Sequence, residues 1–130
     1  MEENKEKPDD FTNYFRGIDM SMKEAMVLNQ SIRQSKEYQD YCETLAHLKE
    51  NKELYDSLNF FRRRNYELQG YDDQINRYQE IHNLALEYEK VLRHPDVNAF
   101  LIAEQLFSRK MQEVYEAIAE GIELDYDYMN

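Results

Sequence analysis

The chain has 130 residues, enough for one domain of ordinary size built around a single core. With 42% hydrophobic and 33% charged residues but only three glycines and two prolines, it favours long helices joined by short turns over sheet. The balance of 27 acidic against 16 basic residues gives a formal charge of −11, which sets the chain against phosphate backbones and anionic membrane surfaces as partners.

In chain order, residues 1–19 read as a mobile acidic tail, polar around "FTNYF" and without a sustained period. That start lacks the basic and apolar regions of a secretory signal, and no apolar run reaches the length that spans a bilayer, so the expected location is the cytoplasm. Ser21 and Glu24 in "SMKE" have the spacing of a capping box, after which Met22, Ala25, Met26, Asn29 and Ile32 form a helical stripe. Ser35 predicts a second start, followed by Tyr38, Tyr41, Cys42, Leu45 and Leu48 at three-to-four spacing. Cys42 is the lone cysteine, which excludes an internal disulfide; within that stripe it reads as a small core side chain. Asn51 is the third predicted cap, and Leu54, Leu58, Phe61, Asn65 and Leu68 then hold one face until Gly70.

Beyond Gly70, Tyr71, Gln74, Tyr78, Ile81, Ala85, Tyr88 and Leu92 alternate at three- and four-residue intervals, a seam suited to an antiparallel bundle or to pairing with a second copy. Pro95 opens the last helix, with Asp96 favoured near its N-terminus, and the helix runs to about Gly121. Residues 20–122 are thus the helical domain, and residues 123–130 an acidic, aromatic tail. The fold class is all-α, an antiparallel bundle of about four to five helices with a long C-terminal helix, paired with a second copy.

That last helix carries two apolar faces. At about 100° per residue, Val97, Phe100, Leu101, Phe107, Met111, Val114, Tyr115, Ile118 and Ile122 make a broad stripe expected to form the domain core along the whole helix. Ala99, Ile102, Ala103 and Leu106 lie on the opposite side for two turns, until Arg109, Lys110, Glu113 and Glu116 make it polar. A second apolar patch requires a second cover, either another helix of the chain or the matching patch of a second chain; the second chain is the preferred expectation. Glu104 interrupts the long stripe beside Phe100, Leu101 and Phe107, and a carboxylate there needs a partner. Asn65 and His82 break their own stripes in the same way. Together the three predict an internal polar cluster, completed by a Tyr hydroxyl or an Arg of "FRRRN", that fixes helix register.

Motifs that carry chemistry are missing. His82 and His94 are preceded at the Glu-x-x-His position by Gln79 and Val91, and H-E-x-x-H, phosphate loops and nucleophile elbows do not occur. No catalytic residue, cofactor site or metal site is therefore assigned. Glu43 and His47 share a helix face, a spacing common by chance. Arg62, Arg63 and Arg64 spread over more than half of the helix circumference, as in a solvated or ion-paired face.

The order of "NQSIRQSKEYQDY", "LYDSLNFFRRRNYELQ", "HPDVNAFLIAEQLF" and "MQEVYEAIAEGI" resembles the YlbF/YmcA family of small helical bacterial regulators over residues 21–122. Its marks are Ser35, Glu37 and Tyr38 at a helix start, Phe61, Pro95, and the group of Phe100, Leu101 and Glu104. The resemblance implies an all-α fold that self-associates, no known catalytic activity, and regulation through partner proteins, among them the endoribonuclease RNase Y in messenger-RNA processing. It also implies links to competence, sporulation and biofilm formation. Some relatives bind an iron–sulfur cluster through cysteines; with Cys42 alone, this chain cannot hold one by itself. Two functions follow as expectations. The first is a non-enzymatic adaptor that pairs with itself and a cytoplasmic protein. The second is an RNA-associated factor touching nucleic acid through Arg62, Arg63 and Arg64.

Overall fold

The computed structural model describes residues 19–70 and 72–129, so residues 1–18 of the tail expected over 1–19 and the seam position Tyr71 lie outside the described residues. Among the described residues, six α-helices follow one another: α1 (Met20–Arg33), α2 (Lys36–Lys49), α3 (Lys52–Leu68), α4 (Gln74–Glu87), α5 (Glu89–Leu92) and α6 (Pro95–Ala119). A single 3₁₀ turn at Asp127–Met129 lies in the acidic C-terminal segment. The architecture is all-α.

Local chemistry sets most boundaries. The Ser35 hydroxyl accepts from the Tyr38 backbone N–H at 3.3 Å, and the Asn51 side chain accepts from that of Leu54 at 3.2 Å, so both predicted caps form. Pro95 stands in the first turn of α6, and His94 Nδ1 accepts from the Asp96 N–H at 3.1 Å. The chain leaves α6 at Gly121, whose φ of 79° is the left-handed conformation that glycine adopts without strain. The first helix differs from expectation. Asp19, two residues before Ser21, is its cap and accepts from the Met22 N–H at 3.0 Å, while the Ser21 hydroxyl donates to the same carboxylate at 2.8 Å. A carboxylate one position outside the helix can reach free N–H groups that a hydroxyl already inside the first turn cannot, so the Ser21–Glu24 box does not form.

The core is small and central. Leu48 of α2, Leu58 of α3, and Val97 and Phe100 of α6 are buried together, with Tyr41, Leu45, Phe61, Val91, Leu92 and Leu101 packed around them. α2 and α6 form the most extensive helix pair and run antiparallel: Glu37 meets Lys110 at one end and His47 meets Asp96 at the other. Between these ends, Tyr38 and Tyr41 pack against Phe107 and Phe100 in tilted ring pairs with centroids 5.1 and 5.7 Å apart. α3 lies across α2 and receives α4 and α5 on its other flank, where Phe60 and Phe61 meet Tyr88.

Three expectations are corrected here. The seam from Gln74 to Leu92 is not one helix, because Tyr88 leaves helical geometry at φ −102° and ψ 20° and divides α4 from α5. Within α4 itself the inward face is that of Ile81 and Leu84, so Tyr78 and Ala85 are exposed while Leu84, off the seam, is buried. Cys42 is exposed, since the inward face of α2 is filled by Tyr41, Leu45 and Leu48. The long stripe of α6 is core only in its first half. α2 spans 14 residues against 25 for α6, so the stripe outruns its cover and Tyr115, Ile118 and Ile122 stay exposed.

Candidate interaction surfaces

α6 presents opposite faces to different surroundings. Val97, Phe100 and Ala103 are buried against the rest of the chain, whereas Ile102 and Leu106 are 54% and 48% exposed and Ala99 is open beside them. Of the four residues expected on the second apolar patch, Ala103 therefore turns inward and three form the exposed face. The reason is angular: Ala103 lies about 60° closer to Phe100 than Leu106 does, at about 100° per residue. A shallow hollow lined by Glu43, Thr44, His47, Asp96 and Ala99 adjoins this face. There His47 sits between two carboxylates, 3.3 Å from Asp96 and 3.5 Å from Glu50.

On the other side of α6, the Arg62 guanidinium of α3 donates to the Glu104 carboxylate at 2.7 Å. The same guanidinium lies 5.6 Å from the centre of the Phe100 ring. Glu104 is 29% exposed and Arg62 41%, so the pair is partly screened by water and roofs the core. The expected trio does not assemble. Asn65 is half-buried on α3 and His82 is exposed on α4, and among the described residues no hydrogen bond or ion pair joins either one to Glu104. What sequence reasoning provided was the need for a partner, and "FRRRN" was one of its candidate sources; which arginine answers depends on the crossing of α3 over α6.

The arginine run is divided by its surroundings. Arg62 is held by Glu104 and Arg64 lies 3.4 Å from Glu67, while Arg63 is exposed and lines a shallow hollow with Asp56, Asn59 and Phe60. Lys36 with Asp40 and Lys52 with Asp56, each at 2.8 Å, are single-turn surface pairs. Among the described residues, no three His, Cys, Asp or Glu side chains come together to hold a metal ion, and no helix is long and apolar enough to cross a membrane. Cys42 stands beside the Tyr38 hydroxyl, and the thiol next to it raises that phenol above its ordinary value.

The described residues are helical throughout most of their length, and their exposed features are apolar helix faces and solvated ion pairs. A family model described as "Control of competence regulator ComK, YlbF/YmcA" matches residues 21–123. The chain belongs to this YlbF/YmcA family, which is a family of regulators. No curated protein and no solved structure matches the chain.

Proposed function

We propose that this protein is a non-enzymatic regulatory adaptor of the cytoplasm, which self-associates and binds a protein partner, in the manner of factors that modulate an RNase Y-type messenger-RNA-processing machinery. The observation that carries this reading is the open face of Ala99, Ile102 and Leu106 on a helix whose other side is already buried. An apolar patch on a helix fixed by its own core costs no reorganisation when a second surface covers it. We assign it to pairing with a second copy. The family's description as a control of the regulator ComK supports the regulatory role.

Light scattering across micromolar concentrations tests the assignment. An assembly larger than one chain is expected, together with a loss of size in Ile102→Asp/Leu106→Asp; a monomer at every concentration ends the reading. Because both side chains are about half exposed, the double variant keeps its helical circular dichroism.

A further inference from the structure

The segment that follows α6 has a period of its own. Ile122, Leu124, Tyr126 and Tyr128 alternate with Glu123, Asp125 and Asp127, and no Lys or Arg follows Lys110 in the chain. On a helix these apolar residues scatter around the axis. On an extended chain a period of two puts them on one side and the carboxylates on the other. The residues from Ile122 to Tyr126 belong to no helix, and the four apolar side chains are 53% to 80% exposed. The Tyr126 and Tyr128 rings lie together, with centroids 6.4 Å apart.

We propose that residues 122–128 bind as an added strand on the open sheet edge of a different protein, an edge with apolar side chains on one face and Lys or Arg on the other. An extended segment pairs its backbone N–H and C=O groups only with a neighbouring strand. The described residues of this chain contain no strand that could take that place. A second copy is the wrong neighbour, because two such segments paired by their apolar faces set carboxylate against carboxylate on the other face. A groove that takes a helix needs apolar residues at three-to-four spacing, and phosphate backbones or anionic lipid surfaces repel the carboxylates. Cations on the edge strand make opposite-charge pairs across the ladder instead. The inference rests on the reading of the chain as an adaptor for a protein partner, and it does not use the face of Ile102 and Leu106.

Photo-crosslinking of the full chain in its own cells tests the proposal, with p-benzoylphenylalanine placed singly at each position from 122 to 128. The adducts are expected to join one protein, to alternate in yield along the segment, and to map by mass spectrometry to an edge strand bearing Lys or Arg. With the crosslinker at position 122, Leu124→Asp/Tyr126→Asp is expected to lower the yield about tenfold. Both substitutions lie beyond α6, so the helical circular dichroism and the assembly size are expected to stay as they were. Adducts with a second copy of the chain, adducts recurring at three- and four-residue steps, or adducts that map to a helix each overturn the proposal. A crosslinker at the exposed Phe60 separates the two readings. Protein adducts from that position with none from 122–128 keep the adaptor reading and overturn this one, and no adduct from either overturns both.

Discussion

Glu104 and Arg62 couple α6 to α3 through one charged hydrogen bond at the edge of the core. Replacing Glu104 by Ala leaves a guanidinium over Phe100 without its acceptor; Arg62 is 41% exposed, so water compensates part of the loss. The expected cost is about 1 to 2 kcal/mol, seen as a fall in melting temperature of roughly 5 °C. A double-mutant cycle with Arg62→Ala is expected to return a coupling of about 0.5 to 1 kcal/mol; zero coupling would show that the pair contributes only through packing. Asp19 gives a pH dependence. Its bonds from Ser21 and the Met22 N–H hold its carboxyl below the usual range. The stabilisation of α1 is therefore present above the unfolded value of about 3.9 and lost as pH falls below it through the lowered folded value. Asp19→Asn, which caps without titrating, is expected to flatten that acid limb in the helical circular dichroism of α1.

Among the elements, those with a local cause were legible in the sequence. Ser35, Asn51 and Pro95 announce the starts of α2, α3 and α6 because a cap or a proline acts through its own first turn. Ser35→Ala is expected to cost about 1 kcal/mol in chemical denaturation. The break at Tyr88 carried no such mark, having neither proline nor glycine; at that point the Tyr88 ring lies against Phe60 and Phe61 of α3, a contact between helices that no local signal announces. Periodicity along α6 showed which residues share a face, but it could not show where α2 stops, and the length of a neighbour decides whether an apolar residue is core. The contrast is measurable. Leu58→Ala empties a fully packed site and is expected to cost about 2 to 5 kcal/mol, whereas Ile118→Ala in the dilute chain is expected to change stability by less than about 0.5 kcal/mol.

For the whole molecule, the net charge of −11 and the placement of the arginines argue in one direction. Arg62 and Arg64 already face carboxylates, which leaves Arg63 as the open member of the run. Direct RNA affinity is expected to be weak, with a dissociation constant above roughly 10 µM at physiological salt. Replacing all three arginines by Ala is then expected to lower stability through the lost Glu104 contact. Sub-micromolar RNA binding abolished by that triple replacement would favour the nucleic-acid reading. Of the exposed apolar face of α6, Ile102 and Leu106 were legible from helix angles alone, and Ala103 was not, because it stands at the boundary between the two faces where a small rotation of α6 decides its side.

Among the described residues, the restriction of buried side chains to the span from Leu48 to Ala103 has a consequence for turnover. Backbone amides held only by an uncovered helix open by fraying, without waiting for the core to unfold. α1 and the last turns of α6 are therefore expected to exchange their amide hydrogens many times faster than α3, and trypsin to cut after Lys23 or Arg33 before it cuts within α3. A second surface laid over these ends would slow both processes. The lifetime of such a chain then depends on its concentration, and unassembled copies are the ones exposed to proteolysis.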